Sequence, residues 1–130
     1  MRLLLDTHAF LWWVNPHERM SPYAREVLAN GANEVFVSTI TPWEVAIKAA
    51  IGRFDMPRPL GPFFEREIAA NGFRVLAVEL NHAVAVRELP VFAEHRDPFD
   101  RMLVAQATVE DLALVSGDKQ FDAYNVKRLW

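Results

Sequence analysis

Four acidic side chains occupy positions from which they could together hold a divalent cation. Asp6 and Asp118 directly follow predicted strands, and Glu44 and Asp100 lie in the first turns of predicted helices. Mg²⁺ prefers oxygen ligands, and it takes a few carboxylates from a protein while keeping several waters. Such an ion can polarise a phosphate oxygen, lower the pKa of a bound water and stabilise a leaving oxygen. The acids therefore predict a Mg²⁺ or Mn²⁺ site suited to phosphate chemistry, and the scarcity of nitrogen and sulfur ligands disfavours zinc.

Each acid also has a purely structural explanation. Asp6 could cap the helix that follows it, and Glu44 completes a capping-box pattern with Thr41. Asp100 is likewise the third residue after a predicted N-cap, Asp97. Asp118 could be an ordinary turn residue. Taken singly, the motifs favour capping for Glu44 and Asp100 and a turn for Asp118, and they leave Asp6 evenly balanced. Convergence favours the metal site, because like charges close together are costly unless a cation lies between them.

The predicted elements bring the acids to one edge of a sheet. Strands alternate with helices along the whole chain, which favours an α/β fold with a mostly parallel sheet covered on both faces. In such sheets the ligand crevice lies at the carboxyl ends of the strands. Predicted strands cover Arg2–Leu5, Glu34–Ser38, Arg74–Val78, Leu112–Ser116 and Val126–Leu129. Predicted helices cover Thr7–Val14, Ser21–Asn30, Thr41–Gly52, Phe63–Asn71, Asn81–Glu88 and Asp97–Asp111, with a loop over Arg53–Pro62.

Three further polar residues are weaker candidates near this edge. Ser38 and Ser116 end predicted strands and could donate hydrogen bonds to a carboxylate or to a cation-bound water. Asp97 could be an outer acid of the site, although an N-cap role with Pro98 in the first helical position explains it well.

The histidines and tryptophans have simpler explanations than ligand binding. The four histidines are scattered and show no metal-ligand spacing, so each is expected to be a surface or hydrogen-bonded residue. Tryptophan rings can stack on unpaired bases. However, Trp12, Trp13 and Trp43 lie in apolar helical patterns, which favours packing in the core.

Length and composition indicate one ordinary domain covering residues 1–130. The chain is 52% hydrophobic and 24% charged, with a net charge of −3. It contains no cysteine, which excludes disulfide scaffolds, thiolate zinc sites and cysteine nucleophiles. The first residues do not form a signal peptide, and no segment is apolar enough to span a membrane. We therefore expect a soluble cytoplasmic protein. The negative charge does not exclude a nucleic-acid substrate, because a metal-dependent nuclease concentrates acids at one place.

Four motifs resemble those of the PIN-domain proteins, and within them the VapC-type toxins of bacterial toxin–antitoxin pairs. They occur in the family's order, and the resemblance runs from Met1 to Trp130. The motifs are Leu3-Leu4-Leu5-Asp6-Thr7-His8, Trp43-Glu44-Val45-Ala46-Ile47-Lys48, His95-Arg96-Asp97-Pro98-Phe99-Asp100-Arg101-Met102-Leu103 and Ser116-Gly117-Asp118-Lys119-Gln120-Phe121. The main departure is Ser116, where threonine often stands.

The resemblance implies a three-layer α/β/α domain with Mg²⁺- or Mn²⁺-dependent endoribonuclease activity. It maps the acidic site onto Asp6, Glu44, Asp100 and Asp118. It also implies a homodimer and a cognate antitoxin whose tail occludes the site. The expected reaction is cleavage of an RNA phosphodiester by metal-activated water, which leaves 5′-phosphate and 3′-hydroxyl ends.

Two alternatives from other classes stay open. One is a non-catalytic PIN-like binding module, which the presence of all four acids disfavours. The other is a receiver-like phospho-acceptor domain, which also gathers acids at strand ends. A receiver needs an acceptor aspartate ending a central strand and a lysine ending a later one. Here the second predicted strand ends in Ser38-Thr39, and no lysine closes a strand in the required place.

Overall fold

Five short strands form the central layer of the fold. In the computed structural model, which describes residues 1–130, they are β1 (Arg2–Leu5), β2 (Glu34–Ser38), β3 (Arg74–Leu76), β4 (Ala113–Val115) and β5 (Arg128–Leu129). Every pairing is parallel, and the order across the sheet is β3-β2-β1-β4-β5. Because β1 lies between β2 and β4, the carboxyl ends of these three strands meet at the middle of one edge.

Six helices and two short 3₁₀ helices connect the strands. The two 3₁₀ helices are Val86–Glu88 and Lys119–Ala123. None of the helices combines the length and apolar character that crossing a bilayer requires. The six are α1 (Thr7–Val14), α2 (Pro22–Ala29), α3 (Ile40–Ala50), α4 (Leu60–Ala70), α5 (Leu80–Ala85) and α6 (Pro98–Glu110).

The sheet is covered on both faces, because alternate side chains of β1 pack into two different hydrophobic clusters. Leu3 and Leu5 belong to a cluster of 16 buried hydrophobic residues that includes side chains of α1, α2 and α4. Leu4 belongs to a second cluster of nine that includes side chains of α6. Successive strand residues point to opposite faces, so an apolar run that is fully buried requires a helical layer on each side. The predicted three-layer α/β/α fold is confirmed.

Several predicted element boundaries are wrong. α4 begins at Leu60, inside the predicted loop, because Pro62 falls in its first turn, where no backbone donor is needed. β3 ends at Leu76 because the Val78 N–H donates to Thr39 Oγ1 at 3.2 Å instead of extending the ladder. β5 is also shorter than predicted, and the 3₁₀ helix Lys119–Ala123 was not predicted.

The tryptophan prediction is wrong at Trp43. Trp12 and Trp13 are half-buried and pack against the larger core cluster, as expected. Trp43 is 58% exposed, and its ring meets Phe99 edge-on with centroids 5.2 Å apart. The reason is the rotation of α3, which buries Glu44 and Val45 and thereby turns Trp43 outward.

Candidate metal centre

All four predicted acids lie at the carboxyl edge of the sheet. Asp6 separates β1 from α1, and Asp118 follows β4 by three residues. Glu44 lies in α3 and Asp100 in the first turn of α6. The negative charges of Asp100 and Asp118 both raise the pKa of Asp6, and the charge of Glu44 raises that of Asp100. The four carboxylates are therefore within electrostatic reach of one another.

Asp6 combines a capping role with a place in the cluster. It is 7% exposed, and its Oδ1 accepts a hydrogen bond of 2.7 Å from the Ala9 N–H in the first turn of α1. Its Oδ2 accepts a hydrogen bond from Ser116 Oγ. Burial raises the pKa of Asp6 to about 7, although both hydrogen bonds act in the opposite direction. The charged form of Asp6 is thus disfavoured unless a cation compensates for the lost hydration.

Ser116 links two of the acids. Its buried hydroxyl donates to Asp6 and accepts a hydrogen bond of 3.0 Å from the Asp118 N–H. Asp118 Oδ1 accepts from the Gln120 N–H at 2.9 Å and caps the following 3₁₀ helix, so the turn explanation also holds. Asp118 Oδ2 accepts no hydrogen bond within the chain.

Glu44 does not form the predicted capping box. α3 begins at Ile40, so Thr41 lies inside the helix and not at its N-cap. The Glu44 carboxylate is 5% exposed and accepts a hydrogen bond of 2.6 Å from Thr7 Oγ1. It also forms an i,i+4 ion pair with Lys48. Thr7 is a site residue that the sequence analysis missed, and its position directly after Asp6 was the available signal.

Asp100 does not close a capping box either. Asp97 caps α6 as expected, since its Oδ1 accepts from the Phe99 N–H at 2.8 Å and the Asp100 N–H at 3.1 Å. The Asp100 side chain turns instead to His95, with 3.0 Å between Oδ2 and Nε2. Burial raises the pKa of Asp100 to about 6, against the effect of the His95 hydrogen bond. Asp100 Oδ1 accepts no hydrogen bond within the chain.

His95 is the main residue that sequence reasoning undervalued. Its ring is buried, and its Nδ1 lies 3.0 Å from the Tyr124 hydroxyl, which accepts an N–H from Arg101 at 3.2 Å. The Tyr124 hydroxyl also donates to the His95 carbonyl oxygen at 3.4 Å, so two contacts from Tyr124 hold this residue in place. One ligand atom each of His95, Asp100 and Asp118 lies within 4.8 Å of the other two. His95 therefore belongs to the centre and orients Asp100 within it.

Ser38 lies outside the cluster. Its hydroxyl donates to Gln106 Oε1 at 2.5 Å and accepts from the Ile40 N–H at 3.0 Å. The expectation that it would bond a carboxylate is wrong. Ser38 instead fastens the turn between β2 and α3 to α6, because full burial requires that both its donor and its acceptor be satisfied.

The donor set fits a hard divalent cation. The four acids supply only carboxylate oxygens, the ligand type preferred by Mg²⁺ and Mn²⁺. Asp100 Oδ1 and Asp118 Oδ2 are free of internal hydrogen bonds, and the raised pKa values of Asp6 and Asp100 mark a region where positive charge is needed. Arrangements of this kind can bind a cation and a phosphate together.

Solved structures with a similar fold match nearly the whole chain. The crystal structure of VapBC2 from Rickettsia felis bound to a DNA fragment from its promoter has a TM-score of 0.72 and 16% identity, and the match covers 99% of this chain and 98% of that chain. FitAcB from Neisseria gonorrhoeae has a TM-score of 0.67 and 17% identity, with 98% and 96% covered.

A curated relative and a family model match nearly the whole sequence. Ribonuclease VapC22 of Mycobacterium tuberculosis is 26% identical over 126 residues, which are 97% of this chain and 94% of that protein. The family model described as PIN domain matches residues 3–127. Together with the three-layer fold and the acids at its carboxyl edge, this match shows that the chain belongs to the PIN domain family.

Proposed function

We propose that this chain is a Mg²⁺- or Mn²⁺-dependent endoribonuclease and the toxin of a toxin–antitoxin pair, acting in the cytoplasm. The observation that carries the proposal is the meeting of Asp6, Glu44, Asp100 and Asp118 at one sheet edge of a PIN domain. The similarity to Ribonuclease VapC22 over 94% of that protein supports the choice of RNA as substrate.

In this proposal the four acids bind the cation and position the attacking water. Asp6, Glu44 and Asp100 would hold or orient the main cation, and Asp118 would hold a second cation or position the water. A bound Mg²⁺ or Mn²⁺ supplies Lewis-acid activation of the phosphate and lowers the pKa of water. The exposed Asp118 is the acid most open to an incoming phosphodiester.

Three neighbouring side chains hold these acids in position. Ser116 fixes Asp6 relative to the Asp118 backbone, and Thr7 fixes Glu44. His95 fixes the side of Asp100 that carries Oδ2, which leaves Oδ1 for a ligand. Because each of these partners is itself packed or hydrogen-bonded, the carboxylates are oriented before substrate arrives.

A cleavage assay tests the proposal directly. Total cellular RNA is incubated with the wild-type protein in Mn²⁺, and in EDTA as a blank. The wild type should cut the RNA and leave 5′-phosphate and 3′-hydroxyl ends. Asp6→Asn should lower the rate at least about 100-fold, because loss of residues behind metal ligands alone costs about 10- to 100-fold.

The matched control is Asp111→Asn, at the opposite end of α6. Asp111 is exposed and has a φ of 54°, a conformation that asparagine tolerates well, so this variant should cut RNA like the wild type. Cyclic phosphate ends would contradict the water mechanism, since they indicate attack by the RNA 2′-hydroxyl. RNA binding without cleavage would favour the non-catalytic binding module.

The proposal includes two protein contacts, a homodimer and a cognate antitoxin. Solved structures with the same fold include VapBC complexes, which supports a protein partner for this chain. Co-expression with a candidate antitoxin, followed by size-exclusion chromatography, should give a complex larger than the toxin alone and without RNA cleavage.

A further inference from the structure

A cavity of about 360 Å³ opens beside the acids. Asp6 and Asp118 contribute to its wall on the side of the metal centre. The rest of its wall is of a different kind, because it includes Trp12, Trp130 and the exposed cation of Arg19. The cavity is therefore continuous with the proposed catalytic acids and carries aromatic surface next to them.

Strand pairing places Trp130 at this edge. β5 pairs with β4 in the register Val115↔Leu129, so Trp130 stands one residue beyond the strand end, opposite Ser116. Its indole lies directly on Gly117, since a Cβ at that position would be 2.8 Å from Trp130 Cε2. Only glycine allows this approach without a shift of the indole, so the acidic motif and the aromatic wall are built together.

Trp12 reaches the same cavity from α1. His8 and Trp12 are one helical turn apart on this helix, with ring centroids 5.2 Å apart. The ring centroids of the two indoles, Trp12 and Trp130, are 5.9 Å apart, and the interplanar angle is 54°. Both indoles are only half-buried. The ring of His17 stacks on Trp12, with centroids 5.1 Å apart and an interplanar angle of 19°. The surface of the two indoles that lines the cavity is what a flat ring could pack against.

We propose that this cavity is a nucleobase subsite that holds one unpaired base of the RNA next to the phosphate that is cut. This inference rests on the proposed ribonuclease function and deepens it. A base is uncharged and planar, so it can lie against the indoles and close to Asp6 and Asp118, where a phosphate without a cation would be repelled. Arg19 is available on the same wall for the phosphate of a flanking nucleotide.

The subsite selects single-stranded RNA. Bases in an A-form duplex are stacked and their edges lie in a deep, narrow groove, whereas unpaired bases can be splayed out onto aromatic side chains. Cleavage would therefore occur in loops or single strands, and the identity of the base in the cavity would contribute to sequence preference.

A binding cycle tests the subsite separately from catalysis. Fluorescein-labelled RNA hexamers of adenosine or uridine are compared with an abasic hexamer of the same length and charge, with Ca²⁺ replacing Mn²⁺. The wild type should bind at least one base-bearing hexamer about 5- to 150-fold more tightly than the abasic one, the range expected for stacking of one base. Trp130→Leu and Trp12→Leu should remove most of this preference and leave abasic binding unchanged.

Trp13→Leu is the matched control on the same helix. Trp13 is also half-buried, but its indole donates to Asn71 and packs near Phe73, away from the cavity. The Trp13→Leu variant should prefer the base-bearing hexamers as strongly as the wild type does. If Trp12→Leu does not fold, Trp130→Leu provides the same test from the other wall.

Each outcome decides the proposal. A wild type without base preference, or a preference that survives loss of either indole, would overturn it. If Trp130→Leu or Trp12→Leu lost binding to the antitoxin but kept the RNA binding of the wild type, the cavity would be a site for the protein partner instead. If the wild type binds neither hexamer and cuts no RNA, the ribonuclease function itself fails, and the subsite fails with it.

Discussion

Asp6 and Asp100 carry the pH response of the metal-free site. Burial raises the pKa of Asp6 to about 7 and that of Asp100 to about 6, from the ordinary value of 3.8. A carboxyl group with a higher pKa in the folded chain than in the unfolded chain binds its proton more tightly when folded. The free energy of unfolding therefore falls as the pH rises from about 4 to about 7.

Urea unfolding in EDTA from pH 4 to pH 8 measures this effect. The wild type should lose stability over this range relative to Asp6→Asn, because asparagine has no proton to lose. Above about pH 7 the difference between the two proteins should become constant. Parallel pH profiles for the two proteins would show that Asp6 ionises normally in the folded state.

The positions of the acids at the sheet edge could be predicted, but the side chains that hydrogen-bond to them could not. Asp6 and Asp118 follow recognisable strands, and sequence position alone placed them at the edge. The roles of Glu44 and Asp100 depended on where their helices begin and on partners elsewhere in the chain. His95 is oriented by Tyr124, 29 residues further on, and no local pattern signals such a contact.

At the scale of elements, the N-terminus of α6 joins helix stability to metal binding. Asp97 accepts two backbone N–H groups, one of them from Asp100 itself. Asp97→Ala should lower the free energy of unfolding by about 1 kcal/mol, the usual cost of losing an N-cap. It should also weaken Mn²⁺ binding, because the first turn of α6 positions Asp100.

Ser21→Ala provides the comparison for this prediction. Ser21 caps α2 by accepting from the Ala24 N–H at 3.0 Å, at a helix that carries none of the acids. Urea unfolding should show a similar loss of stability in both variants, and calorimetric titration should show weaker Mn²⁺ binding only in Asp97→Ala. Equal Mn²⁺ affinity in the two variants would mean that the cap does not position Asp100.

Elements with strong local signals were predicted well. α1 and β1 match their predicted ranges, since a capping aspartate and a buried apolar run mark them clearly. The end of β3 could not be predicted, because it depends on the hydroxyl of Thr39, 39 residues earlier in the chain. The exposed side of α3 was misjudged because it carries apolar residues, among them Trp43 and Ile47.

At the scale of the whole molecule, one sheet supports both core clusters. Leu3 and Leu5 face one cluster and Leu4 the other, so neither cluster can be disrupted without disturbing β1. We expect residues 1–130 to unfold as a single cooperative domain. Tryptophan fluorescence and far-ultraviolet circular dichroism should give coincident urea transitions, whereas two separated transitions would show independent units.

The overall architecture followed from the sequence because alternation of strands and helices restricts the topology strongly. The carboxyl edge of a parallel sheet is a physical consequence of that alternation, so the acids were expected there. The cavity beside them was not predicted, because it depends on β5 bringing Trp130 over Gly117 and next to Trp12, which lies near the other end of the chain.

Thermal unfolding with and without Mn²⁺ tests the central claim that the acids form a metal site. A ligand that binds only the folded state stabilises it by about 2.7 kcal/mol when present at 100 times its Kd. Mn²⁺ should therefore raise the Tm of the wild type and of Asp111→Asn clearly, and that of Asp100→Asn hardly at all. If Mn²⁺ leaves the wild type unchanged, or stabilises Asp100→Asn equally, the four acids have structural roles alone and the proposed enzyme is wrong.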